Sequence, residues 1–190
     1  MVDPTTARGE ATRRRILDAA AQEFSDHGIA GARVDRIMQS AQTNKAQLYG
    51  YFGSKDGLFD AVIDDSVVRI TTAVPIGDDL ADWAVRLYDE YLEHPDLVRL
   101  AVWLRLERRP GGRLFSDAQH DPKVVAIAEA QRAGRVRAGD PFDLMALVIA
   151  MSCAWSPASA VHAATADEPD AEHERRRTLL RACVAAAVAP

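Results

Sequence analysis

Residues 34–52, VDRIMQSAQTNKAQLYGYF, leave few folds open. Val34, Ile37, Ala41 and Leu48 are apolar at spacings that let two short helices meet over a small shared core. The stretch between the helices is polar and short, so a tight turn joins them, and Asn44 stands where it can cap the second helix. Tyr49, Tyr51 and Phe52 form an aromatic cluster that closes it. Asn44, Lys45 and Gln47 are left near the N-terminus of the second helix. In a helix-turn-helix that end meets base edges and phosphates in a DNA major groove.

The chain as a whole reads as all-α. Its 190 residues suffice for one ordinary domain or two small ones, and an apolar share of 48% with few aromatics, Gly or Pro favours packed helices. A net charge of −5 argues weakly against nucleic acid, but the charge is uneven. Residues 1–55 carry +2 and the remainder −7, so the basic end coincides with the helix-turn-helix. Cys153 and Cys183 lie far from any CxxC spacing and read as small buried hydrophobes in a reducing cytosol. The polar N-terminus does not resemble a secretory leader, and the longest apolar run, Leu144 to Trp155, falls short of the ~20 residues that span a bilayer. A cytoplasmic protein without membrane contact is expected.

Periodicity predicts nine helices and no strand. After a loose arm at 1–11, a helix from Thr12 to His27 buries Ile16, Leu17, Ala20 and Phe24 and stops at Gly28. The helix-turn-helix pair follows. Ser54 caps a fourth helix with the stripe Leu58, Phe59, Val62, Ile63, Val67 and Ile70, ending before Pro75. Leu80 to Leu92 keeps the 3.6-residue period closely and closes at His94-Pro95. Pro95 to Arg109 is apolar almost all round, as in the middle of a bundle. Asp121-Pro122 and Asp140-Pro141 each look like a cap followed by Pro at the first helical position. A last helix carries Leu179, Leu180, Cys183, Val184, Ala187 and Val188.

Arg15-Ile16-Leu17-Asp18-Ala19-Ala20, Phe24, Gly28, Val34, Ile37, Ala41, Lys45, Leu48-Tyr49, Tyr51-Phe52 and Ser54-Lys55 form a joint pattern over about residues 12–65. In this pattern the chain resembles the tetracycline-repressor (TetR) family of bacterial transcriptional regulators. The resemblance implies a DNA-binding domain at 1–54 and an effector-binding and dimerisation domain at 55–190. It places the helix from Asn44 to Tyr51 in the major groove, with Lys45 and Gln47 as base or phosphate contacts. Tyr49 and Tyr51 match phosphate-binding positions, and Lys55 matches a phosphate clamp at a helix start. Arg33 and the run Arg13, Arg14, Arg15 add candidate backbone contacts. Three departures stand out: Gln42 where the turn usually has Gly, Arg33 where a hydroxyl usually caps, and Gly50 where His is frequent.

A single helix-turn-helix buries too little surface for tight specific binding, so a two-fold homodimer is expected. The stripes of the two last apolar helices, Leu144, Val148, Met151 and Trp155 with Leu180, Val184 and Ala187, are the expected interface. The family resemblance further implies a small-molecule pocket among the middle helices. Trp83, Tyr88, Tyr91, Trp103, Phe115, Met145 and Met151 are its candidate lining, suited to a hydrophobic or amphipathic effector. The expected function is a repressor that binds operator DNA and is released by that effector. The alternatives are an adaptor whose C-terminal bundle docks a protein, or an activator.

Catalysis is not expected. The histidines His27, His94, His120, His162 and His173 form no recognisable site, and His173-Glu174 opens a zinc-protease pattern that Arg177 breaks. No GxSxG elbow, P-loop, GxGxxG or Cys cluster is present, and neither metal nor cofactor is called for.

Overall fold

The computed structural model describes residues 7–114 and 117–190, without the side chains at 70, 71 and 117–121. The described residues form nine α-helices and no strand: α1 Ala7–Gly31, α2 Val34–Ser40, α3 Lys45–Phe52, α4 Lys55–Ala73, α5 Leu80–Glu93, α6 Pro95–Glu107, α7 Asp117–Arg132, α8 Pro141–Ser152 and α9 Asp170–Val188. They divide into two compact units. The first holds the chain up to Val68 together with Arg99–Gly112; the second holds Arg69–Val98 and Arg113–Pro190.

In the first unit Ile16, Leu17, Ala20 and Phe24 of α1 are buried with Ile37 of α2, Leu48 of α3, and Leu58, Phe59 and Val62 of α4. Phe24 and Phe59 meet edge-on at 5.1 Å, the arrangement ring quadrupoles favour. This unit reaches past the expected boundary at residue 54 because the first turns of α4 fill its core. The second half of α6 completes it. The Trp103 indole donates to the Ser25 carbonyl at 3.2 Å, and the Glu107 carboxylate accepts from the N–H groups of Ile29 and Ala30. Those N–H groups are exposed to it because α1 breaks at Gly28, whose φ of 67° and ψ of 178° leave the helical region.

Two local expectations change. The arm predicted at 1–11 is helical from Ala7, with Gly9 and Thr12 buried, while residues 1–6 lie outside the described set. Helix α7 starts at Asp117, so Pro122 sits inside it instead of opening it. The polar cap pattern at Asp121-Pro122 is overridden by helix continuing on its N-terminal side.

The second unit packs α5 against α8 and α9, and α7 against α8. Its core gathers Leu80, Trp83, Ala84, Leu87 and Tyr88 of α5, Ile127 of α7, Met145 and Val148 of α8, and Leu180 and Val184 of α9. Caps fix the helix starts. Asp79 accepts from Ala81 and Asp82 N–H ahead of α5, and Asp140 does the same for Phe142 and Asp143 ahead of α8, with Pro141 in the first turn. Helix α6 is less enclosed than its composition suggests: Leu97, Val98, Leu100 and Leu104 are buried, but Leu106 is 67% exposed. Among the described residues no helix is long and apolar enough to cross a membrane.

Candidate nucleic-acid interface

The helix-turn-helix is built on α1. Arg33, the residue just ahead of α2, offers no side-chain cap. A carboxylate from α1 compensates: Glu23 Oε1 accepts from Arg33 N–H at 2.8 Å and from Arg36 Nη2 at 2.5 Å. Burial works against the charge on Glu23, but its bonds to Arg36 and Arg33 outweigh that and hold its carboxyl below the usual range. Glu23 thereby sets where α2 starts. The turn between α2 and α3 contains Gln42 at φ 50°, the only described non-glycine residue with positive φ, as its place at the usual glycine position implies. Asn44 then caps α3, its side chain accepting from Gln47 N–H at 2.9 Å. Gly53 ends α3 at φ 72°, and Ser54 caps α4 through Gly57 N–H at 2.9 Å.

This scaffold turns one face of α3 outward. Asn44, Lys45, Ala46 and Gly50 are exposed, while Leu48 is wholly buried beneath them. Lys45 lies over the Tyr49 ring at 5.9 Å, and Gln47 accepts from Thr43 Oγ1 at 2.8 Å. Arg33 is exposed on the approach to α2.

Three other candidates are already engaged within the protein. The Tyr51 hydroxyl donates to the Gly9 carbonyl at 3.2 Å. Lys55 Nζ donates to the Ala32 carbonyl at 2.7 Å, closing the end of α1. Arg14 ties α1 to α4: its Nη1 donates to both carboxylate oxygens of Asp65 at 2.8 and 2.9 Å, and it also pairs with Asp18. Tyr51 would have to give up its internal bond to donate to a phosphate, whereas Lys55 and Arg14 keep further N–H donors. Arg13 stacks on the Phe52 ring at 5.7 Å.

The expected effector and dimer residues separate. Trp83, Tyr88, Tyr91 and Met145 are buried in the core of the second unit, with Met151 packed against it. The Trp83 indole donates to the Val74 carbonyl at 3.2 Å, as a structural core residue does. Tyr91 is hydrogen-bonded to Cys153, and burial pushes the Cys153 thiol up to about 11. Trp103 belongs to the first unit, and Phe115 lies outside the described residues. Leu144, Val148, Leu180 and Val184 are 8% exposed or less within a single chain, so these expected dimer contacts have almost no surface left to give. Met151, Trp155 and Ala187 are half-buried. The surface of the two last helices is instead carried by Ala146, Leu147 and Ala150 of α8 and Leu179, Ala182, Cys183 and Ala186 of α9. Cys183, expected to be buried, is exposed on that face.

Sequence reasoning passed over Glu23 and Glu107. Glu23 was detectable: a carboxylate within the apolar row Ile16, Ala20, Phe24 needs a partner to remain buried. Glu107 carried no local signal, because its partners lie 77 and 78 residues away.

Comparison with known proteins agrees with this geometry. Residues 79–185 match the family described as the tetracyclin repressor-like C-terminal domain, and residues 16–62 match the bacterial regulatory proteins of the tetR family. The HTH-type transcriptional repressor SCO4008 of Streptomyces coelicolor is 38% identical over 149 residues, covering 75% of this chain and 77% of that protein. The HTH-type transcriptional repressor AcnR of Corynebacterium efficiens is 26% identical over 147 residues, 73% and 76% of the two chains. Among solved structures, SCO4942 of Streptomyces coelicolor superposes with a TM-score of 0.77 at 34% identity, covering 93% of this chain and 98% of that one. Salmonella enterica GusR does so at 0.69 and 22%, over 97% and 98%, a likeness of fold alone. The chain therefore belongs to the tetR family of bacterial regulatory proteins: it is a DNA-binding regulator of transcription and not an enzyme.

Proposed function

We propose that the protein is a cytoplasmic repressor that grips operator DNA as a homodimer and releases it when a small hydrophobic or amphipathic effector occupies the second unit. The observation that carries this reading is the outward edge of α3, where Lys45, Ala46 and Gly50 are exposed on a helix anchored by the fully buried Leu48. Lys45 suits guanine or a nearby phosphate and Ala46 suits a thymine methyl, with Gln47 and Tyr49 beside them. Gly50 allows the helix backbone to approach the groove closely. Relatives of comparable span are named repressors, which favours repression over activation.

Two copies joined through α8 and α9 would offer two such helices to half-sites about 34–36 Å apart, or at a multiple of that spacing. The chain passes from one unit to the other within α4 and within α6, so a change in the effector unit has two helical routes to the DNA-reading unit. An effector that binds better to the state with misplaced reading heads lowers operator affinity by the same coupling free energy.

The test is a mobility-shift titration of the purified protein on DNA flanking its own gene, alongside sedimentation to measure its mass. Specific retention by a dimer is expected. Lys45→Ala should lower the slope of log affinity against log salt by about 1 while leaving the melting temperature unchanged. A monomer with no preference for that DNA would end this reading.

A further inference from the structure

The inner row of α9 buries Leu180, Val184 and Val188, and toward the helix start the same row continues through His173 and Arg176. These two are 4% and 6% exposed. Each is only partly satisfied. The Tyr88 hydroxyl lies 2.7 Å from His173 Nδ1, and Arg176 Nη2 donates to Glu168 Oε2 at 2.6 Å. His162 Nε2 completes the group, 3.2 Å from Glu168 Oε1. Hydrogen bonding from Arg176 holds the Glu168 carboxyl down at about 2. What remains is one nitrogen on each side chain: His173 Nε2 and Arg176 Nη1 are buried without a hydrogen-bond partner. The orphan on Arg176 is a donor whatever the His173 tautomer, because a guanidinium has no acceptor.

Beside them is a cavity of about 310 Å³ lined by Trp155, His162, Arg175, Arg176 and Leu179. Trp155 also packs edge-on against the Tyr88 ring at 6.0 Å, so it and Arg176 belong both to the cavity wall and to the buried polar group. A buried donor without an acceptor is rare and costly, and one on the Arg176 guanidinium, which lines the cavity, calls for an acceptor-only group. A carboxylate has two such oxygens, and guanidinium is its preferred partner. The basic side chains at the cavity, Arg175, Arg176 and His162, are opposed by Glu168 and by Glu172, which pairs with Arg175. The volume admits one ring or a short chain.

We propose that this cavity binds a small organic acid, its carboxylate held by Arg176 and its apolar body against Trp155 and Leu179. As the site of the effector it rests on the ligand-responsive reading above, and it names the effector's chemical class.

The experiment uses the full-length protein at pH 7 and three acids, each paired with its neutral amide: benzoate with benzamide, indole-3-acetate with indole-3-acetamide, hexanoate with hexanamide. At least one acid should raise the melting temperature by about 5 °C at ~100-fold over its Kd, with its amide giving no such rise. Arg176→Lys, which keeps the charge but not the second donor, should weaken that acid roughly tenfold or more. Trp155→Leu should weaken it too, should the first variant fold poorly. The site is overturned when no acid outperforms its amide, or when affinity survives both substitutions. An acid that binds yet leaves promoter retention unchanged overturns its role as effector. Promoter retention by ligand-free protein is measured in the same preparation: its loss sinks the repressor reading, whereas its presence without acid preference sinks this site alone.

Discussion

Single side chains decide how firmly the DNA-reading unit is built. Gln42 holds φ 50° in the turn ahead of α3, a conformation that costs a residue with a Cβ roughly 1 kcal/mol relative to Gly. Gln42→Gly should leave stability unchanged or raise it by up to about 1 kcal/mol, read from urea or thermal melts; a clear fall would mean that the glutamine side chain supports the turn. Glu23 works in the other direction. Its carboxylate is bonded to Arg36 and to Arg33 N–H, so Glu23→Gln should cost about 1–3 kcal/mol and weaken operator binding with it. The sign with pH follows from its lowered carboxyl. The stabilisation is complete above the ordinary value of 4.5 and disappears as pH falls through the lowered one. The wild-type advantage over Glu23→Gln should therefore hold from pH 8 to about 5 and shrink below that. An advantage independent of pH would assign the effect to shape and not to charge.

At the scale of elements, the break in α1 matters most. Gly28 sits at φ 67°, and a Cβ there would lie 2.7 Å from Glu107 Oε1 and 2.9 Å from Trp103 Cε3. Gly28→Ala should thus cost about 2–4 kcal/mol, from backbone strain and overpacking together. Loss of Trp103 burial, seen as a red-shifted fluorescence in a variant keeping only that tryptophan, checks the cause. Most helices were legible from residue spacing. Asp140, Asn44 and Ser54 start theirs where short polar side chains before apolar stripes indicate, because capping is local chemistry. The start of α7 was not legible, since a Pro in an early turn is compatible with either reading.

For the whole molecule, the proposed homodimer would depend on which face of α8 and α9 is left over. The inner stripe is consumed by the subunit's own core, leaving Leu147 at 47% and Leu179 at 51% exposure among small alanines. Small residues around two leucines let helices of a second copy approach closely. Leu147→Glu combined with Leu179→Glu should convert the proposed dimer to a folded monomer in sedimentation, and operator affinity should drop by roughly 10³-fold toward non-specific binding. The helical content should persist, because neither side chain is part of the buried row. A dimer surviving both changes would move the interface elsewhere on the protein.

The amino-acid sequence by itself determined most of the helices, the helix-turn-helix, the capped helix α3 and the interruption of the first helix at Gly28. All of these arise from interactions within a few residues: periodic burial, capping and the freedom of glycine. Only the tertiary structure decided which stripe faces inward, that Lys55, Tyr51 and Arg14 bond within the protein, and that Glu107 completes a unit begun some eighty residues earlier. It also decided that His173 and Arg176 are buried with one nitrogen each left unpartnered. Those outcomes depend on partners distant along the chain, and a helix with two plausible apolar faces does not reveal from its own residues which one its neighbours will cover.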